Sequence, residues 1–160
     1  MARRARLGMA EDEVAAFLDE GRRAQVATIN ADGTPHLVPL SYVVLDGRLT
    51  LWTDPRSRKV VNLRRDPRLT CLVEQGSGFA DFRAVQLTGW AELVDDPDAS
   101  LRTGVALFER YSPQGADPER LRAAAVDLVS ERVAVVVTPE RVVSWDHRKL
   151  AGARPKDVGR

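Results

Sequence analysis

Several residue types and patterns are scarce or absent in this sequence. Cys71 is the only cysteine, so an intramolecular disulfide is excluded and a reduced cytoplasm fits the composition. The net charge of +1 provides no strong field to draw the chain to nucleic acid or to a membrane. The basic N-terminus is not followed by an apolar stretch, which argues against a secretory signal. No apolar run reaches the ~18 residues that span a bilayer.

Common catalytic signatures are missing as well. The histidines are His36 and His147, and no group of His, Cys, Asp and Glu has metal-ligand spacing. The absence of a Gly-x-Ser-x-Gly element and of a Cys–His pair argues against nucleophilic catalysis. The absence of a Gly-x-Gly-x-x-Gly fingerprint argues against a Rossmann dinucleotide site. Aromatic residues make up only 6%, which disfavours an oligonucleotide-binding barrel.

What is present is a series of short apolar segments separated by turn residues. Strands are predicted over 25–30, 36–45, 48–53, 69–74, 84–94, 132–138 and 142–145. Asp46-Gly47 is a strong hairpin signal, Pro39 implies a strand edge or a bulge, and Gly89 implies a bulge or a close approach. Because hairpins dominate and strands do not alternate with helices, we predict a mainly β fold, an antiparallel β-barrel with flanking helices.

Helices and domain limits follow from similar signals. One helix is predicted at about residues 10–20, and a short one is predicted after Arg56 and ends at Asp66-Pro67. Asp96-Pro97 and Asp117-Pro118 each predict the start of a further helix. Pro139-Glu140 is predicted to turn the chain between the last two strands. The length suits one domain, which we place at residues 1–146, followed by a basic tail at 147–160 that we predict to be flexible.

The strand over 48–53 leads directly into a basic helix start, Arg56-Ser57-Arg58-Lys59. Phosphate groups bind where cationic donors and backbone N–H groups meet at a helix N-terminus. Lysine supplies a point charge and arginine a planar fork of donors, and serine adds a short hydroxyl donor. The alternative is a Ser57 N-cap followed by solvated cations. The residues alone leave both interpretations open.

Five segments together resemble a known family. They are residues 27–40, 49–53, 57–67 with Ser57-Arg58-Lys59 and Asn62-Leu63-Arg64-Arg65-Asp66-Pro67, 89–96 and 139–145. In this order, over about residues 10–146, they resemble the pyridoxamine-phosphate-oxidase-like split β-barrel family of flavin and deazaflavin proteins. The resemblance implies a homodimer with cofactors in clefts at the subunit interface. The short, arginine-rich form is most similar to the branch that uses the deazaflavin coenzyme F-420, and the FMN-using branch is the alternative.

The resemblance also implies which residues bind the cofactor. Lys59, Arg58 and Ser57 would hold the phosphate, Thr53 would donate to a ribityl or phosphate oxygen, and Pro39, Leu40 and Ser41 would lie along the ring system. The alternatives are that Ser41 is an ordinary strand residue and that Trp52 belongs to the core. A contact from Gln75 and a proton from Tyr42 are further hypotheses, and no catalytic residue is assigned.

The expected function is therefore an F-420-dependent oxidoreductase that moves hydride to or from a small organic substrate. The alternatives are an FMN-binding oxidase or flavin reductase and a non-catalytic protein that binds the cofactor or a tetrapyrrole. The sequence ends in Ser144-Trp145-Asp146-His147-Arg148 and lacks the Arg-Leu-x-Pro-like motif of true pyridoxamine-phosphate oxidases. This departure argues against oxidation of vitamin B6.

Overall fold

The computed structural model describes residues 7–150. The strands are β1 (Arg23–Ile29), β2 (Pro35–Leu45), β3 (Arg48–Thr53), β4 (Arg68–Gln75), β5 (Arg83–Val94) and β6 (Val133–Asp146). All paired neighbours run antiparallel, and the strands close into a barrel in the order β1-β2-β3-β6-β5-β4. The predicted antiparallel barrel with flanking helices is confirmed.

Helices flank the barrel. They are α1 (Glu11–Glu20), α2 (Arg58–Arg65), α3 (Pro97–Tyr111) and α4 (Pro118–Val129), and a short 3-10 helix spans His147–Leu150. As the two Asp-Pro pairs predict, the carboxylates of Asp96 and Asp117 accept backbone N–H groups in the first turns of α3 and α4. Of the helices described here, none is long and apolar enough to cross a membrane.

The barrel interior is a continuous apolar core. Val26, Leu51 and Val135 are almost fully buried within it, and Phe17 of α1 packs against them. Cys71 belongs to the same core, and burial raises the pKa of its thiol to about 12. Because the thiolate is the reactive form, this cysteine is a packing residue.

The course of β6 corrects one expectation. The strand continues through Pro139 and Glu140 as a single element, where a turn was predicted. Thr88 pairs with Arg141 and Gly89 with Pro139, so Glu140 has no opposite residue and forms a bulge. A Cβ atom at Gly89 would collide with the backbone of β6. The prediction that Gly89 marks a bulge or close approach is confirmed.

The C-terminal boundary also differs from the expectation. The flexible tail was predicted to begin at residue 147, but His147–Leu150 form a 3-10 helix. This helix is attached to the domain, because Lys149 Nζ donates to the Glu13 carboxylate of α1 at 2.6 Å. Regular structure therefore continues to Leu150. Residues 151–160, the rest of the predicted tail, lie outside the described residues.

Candidate functional site

The barrel opens between β2 and β3. Residues 35–41 of β2 pair with β1, whereas the ladder with β3 covers only residues 42–45. Beyond that ladder β3 pairs with β6 as far as Thr53, and the chain then leaves the barrel toward α2. The second edge of residues 35–41 thus has no strand beside it among residues 7–150. We call the opening between this edge and residues 53–59 the β2 cleft.

The basic start of α2 faces one end of the β2 cleft. Arg58 lines a cavity of about 440 Å³ together with His36 of β2 and with Asn30, Ala31 and Asp32 of the turn between β1 and β2. The lining is polar and carries charges of both signs. Arg58 of α2 and His36 of β2 therefore line the same cavity at this end of the cleft.

Every second residue of β2 directs its backbone N–H and C=O groups to the cleft. The N–H and C=O of Tyr42 lie 3.1 and 3.0 Å from the hydroxyl of Tyr111, which also contacts the carbonyl of Arg22 before β1. Successive strand residues direct their backbone groups to opposite edges, so those of Ser41 face the cleft. Pro39 lies on the same edge, where its missing N–H breaks no ladder, in agreement with the edge position predicted for it.

The side chains of this part of β2 also alternate. Pro39 and Ser41 are exposed, whereas Leu40 packs against the core. Tyr42 is fully buried, its hydroxyl donates to the carbonyl of Leu18 at 2.6 Å, and burial raises the pKa of the phenol. The hypothesis that Tyr42 supplies a proton to the site is therefore wrong.

Ser57 occupies the N-cap position of α2 without capping it. Its hydroxyl donates to the carbonyl of Asp54 at 2.7 Å. Among the described residues, no side chain caps the start of α2. The N–H of Arg56 binds the Asp54 carboxylate, also at 2.7 Å. Ser57 thus stabilises the turn before the helix. The first N–H groups of α2 remain open to an anion.

Four of the residues predicted to bind the cofactor have polar side chains without a partner in the described part of the chain. Over residues 7–150, no hydrogen bond or ion pair involves the hydroxyls of Ser41 and Thr53, the guanidinium of Arg58 or the ammonium of Lys59. Thr53 is 7% exposed, and Lys59 is half-buried. Burial lowers the pKa of Lys59, and the charge of Asp54 opposes that shift. A half-buried cation that forms no hydrogen bond or ion pair with an anion among the described residues is the arrangement that a phosphate oxygen would satisfy.

Two other hypotheses concern residues on either side of these groups. Trp52 packs beneath α3, where its indole N–H donates to Ser100 at 2.9 Å and its ring meets Phe108 edge-on at 5.8 Å. It is half-buried and packs between β3 and α3, outside the apolar core of the barrel. Gln75 ends β4 and its side-chain oxygen accepts from Arg83 at 2.7 Å, so the contact made by this residue is within the sheet.

Asn62 was not among the residues predicted for the site, although it lies in the resembling segment 57–67. Asn62 is 1% exposed and donates to Thr28 at 3.1 Å and to Asn30 at 3.0 Å. It therefore joins α2 to the turn between β1 and β2. The available signal was a polar residue on the buried face of a short helix, next to Val60 and Leu63.

The strands form an antiparallel barrel whose ladder between β2 and β3 is incomplete, and a basic helix starts beside this gap. This arrangement defines the split β-barrel class. Residues 10–146 match the family model described as pyridoxamine 5'-phosphate oxidase, and the chain belongs to this family. The conserved hypothetical protein Rv2991 from Mycobacterium tuberculosis is 41% identical, with a TM-score of 0.87, over 92% of this chain and 91% of that protein.

Two more distant structures share the fold. An F-420 reductase is 22% identical, with a TM-score of 0.59, over 79% of this chain and 93% of that protein. The heme storage protein HutZ from Vibrio cholerae is 17% identical, with a TM-score of 0.65, over 84% of this chain and 94% of that protein. At these identities the likeness concerns the architecture. The same barrel therefore serves proteins named for different cofactors.

Proposed function

We propose that the protein is a cytoplasmic oxidoreductase that binds the deazaflavin coenzyme F-420 and transfers hydride between it and a small organic substrate. The observation that carries this proposal is the half-buried Lys59, which has no hydrogen-bond or ion-pair partner among the described residues, at a helix start without a side-chain cap. Its neighbour Arg58 lines a cavity together with His36 of β2. The arginine-rich segment 62–67 and the fold shared with an F-420 reductase support the choice of a deazaflavin.

The residues of the β2 cleft would bind and orient the cofactor, which itself supplies the hydride chemistry when bound. The proposed contacts are made by Lys59, Arg58, Ser57, Thr53, Ser41, Pro39 and Leu40. The cations of α2 would hold the phosphate with the open N–H groups of the helix. The exposed edge of β2 would face the ring system, and Ser57 would act by fixing the turn before the helix.

FMN is the alternative cofactor, because one lysine and one arginine at a helix start suit a terminal phosphate as well as a phosphodiester. With FMN the protein would act as an oxidase or a flavin reductase. A non-catalytic carrier is a further alternative, since the fold is shared with a protein named for heme storage. Binding and turnover have to be measured separately to distinguish these cases.

The deciding experiment is a pair of titrations, one with reduced coenzyme F-420 without oxygen and one with FMN. We expect F-420 to bind at micromolar concentration and more tightly than FMN. Tighter binding of FMN, or a yellow flavin that copurifies, would support the alternative. Absence of binding to both at micromolar concentration would overturn the proposal. Tight binding without hydride transfer to any member of a broad acceptor panel would indicate a carrier.

We also propose that the protein is a homodimer that pairs through the outer face of the barrel. Leu37 is 61% exposed and Trp90 is 41% exposed. Trp90 lines a mainly apolar groove of about 270 Å³, together with Ala27, the strand neighbour of Leu37. Exposed apolar surface of this kind favours burial against protein. Light scattering should give a dimer mass for the native chain and a monomer mass for Leu37→Glu, and a native monomer would contradict the proposal.

A further inference from the structure

A buried amide ties the basic helix to the turn at the mouth of the β2 cleft. Asn62 lies one helical turn after Arg58, and its side chain is 1% exposed. Its Nδ2 donates to Thr28 Oγ1 at 3.1 Å and to Asn30 Oδ1 at 3.0 Å. Both N–H groups of the amide are thus used. Thr28 is equally buried, so this contact is shielded from water.

The hydrogen bonds of Asn62 continue into the wall of the cavity. Asn30 Nδ2 donates to Thr34 Oγ1 at 3.1 Å, and that hydroxyl donates to Asp32 Oδ1 at 2.6 Å. Asn30 and Asp32 line the same cavity as Arg58. One end of the network is therefore the body of α2, and the other end is the wall that α2 faces. Moving the amide would shift the cations and this wall relative to each other.

We propose that Asn62 is a positioning residue for phosphate recognition: it holds α2 against the turn between β1 and β2 so that Arg58 and Lys59 converge on the cofactor phosphate. The inference rests on the proposed cofactor role of the cleft and adds the residue that sets its geometry. Asn62 itself does not touch the cofactor. Its effect is confined to the phosphate end of the site, because its partners belong to β1 and to the turn.

A purely structural role predicts a different result. Loss of a buried hydrogen-bonded amide lowers stability wherever it occurs, and a general loosening weakens binding of every ligand in the cleft. A positioning role weakens only the part of the affinity that comes from phosphate. The two roles are distinguished by a ratio of dissociation constants: the Kd of the chromophore without phosphate divided by the Kd of the phosphorylated cofactor.

The test compares riboflavin with FMN, and the dephosphorylated deazaflavin riboside with F-420, on the full chain. Asn62→Leu keeps the approximate shape and removes both hydrogen bonds. We expect the ratio to fall about tenfold, with the affinity for the chromophore without phosphate unchanged. Thr28→Val removes one acceptor from outside α2 and should lower the ratio by a smaller factor. It decides the question if Asn62→Leu does not fold.

Ser100→Ala is the matched control. Ser100 is 2% exposed and accepts from Trp52 at 2.9 Å, so its loss should reduce stability and leave the ratio unchanged. If the native chain prefers phosphorylated ligands and the folded variants keep that ratio, the positioning role is refuted and the proposed function stands. If the native chain binds neither ligand pair, the proposed function fails and the inference fails with it.

Discussion

Replacing Lys59 by glutamine should have opposite consequences for cofactor binding and for the stability of the free protein. In the free protein the ammonium is half-buried and has no partner among the described residues, and burial lowers its pKa from the ordinary 10.5. The charged form is therefore disfavoured by folding. Lys59→Gln removes that cost but also removes the cation proposed to bind phosphate.

The size of the binding effect follows from the burial of the site. A hydrogen bond to a charged group contributes about 1.5–3 kcal/mol, and the partial exposure of Lys59 favours the lower end because water and salt screen it. A loss of about 1.5 kcal/mol corresponds to a roughly tenfold increase in Kd. Lys59→Arg keeps the charge and should retain most of the affinity, although a planar fork replaces a point charge.

Calorimetric titration of Lys59→Gln with FMN and F-420 measures the effect on binding. Urea unfolding of the free protein measures the effect on the free energy of unfolding. The variant should be at least as stable as the native chain at pH 7. Its advantage should shrink as the pH rises through the lowered pKa of Lys59, because the native lysine then loses its charge. Arg122→Gln, at an exposed position on α4, is the control. Native-like affinity in Lys59→Gln would refute the phosphate role.

Two predictions concern stability. Arg110 Nη2 donates to the carbonyls of Leu18 at 3.3 Å and Gly21 at 2.6 Å at the end of α1, so Arg110→Met should lower the free energy of unfolding by about 2–3 kcal/mol; a loss below about 0.5 kcal/mol in urea would contradict this. Asp146 is 3% exposed and accepts bonds of 2.9 and 2.7 Å from Arg148, which lower its pKa from 3.8. Asp146→Asn should cost about 1–2 kcal/mol at pH 7, and this difference should vanish as the pH falls below 3.8 through the lowered pKa. A difference independent of pH would show that this charge pair is not responsible.

The sequence predicted those elements whose signals are local. Asp46-Gly47 forms the hairpin between β2 and β3, and both residues have positive φ, 50° and 74°, as such a turn requires. Asp96 and Asp117 cap the helices whose starts they predicted. In each case the residue that gives the signal also makes the deciding contact, within three positions in the chain. No knowledge of the tertiary fold was needed.

Two expectations met arrangements that the local pattern did not specify, one through a distant partner and one through a neighbouring residue. Pro139 and Glu140 were predicted to turn the chain, yet the strand continues because β5 accommodates them with a bulge at Gly89. The hydroxyl of Ser57 was expected to cap α2 or to bind phosphate. It donates instead to the carbonyl of Asp54, whose side chain binds the N–H of Arg56 in the same turn. Ser57 therefore does not cap the helix, and its role in phosphate binding stays a prediction. Composition reveals neither arrangement, since a proline can also end a strand and a serine can also cap a helix.

The β2 cleft is a consequence of register, which no local pattern determines. Of the 11 residues of β2, the first seven pair with β1 and the last four with β3. The barrel is closed by the second ladder and left open along the first. The only local sign of this division is Pro39, which has no N–H to offer a neighbour on the open edge. Because β3 leads to the start of α2 after its ladder with β2 has ended, the same register that opens the strand edge also leaves room for Arg58 to share a cavity with His36 of β2.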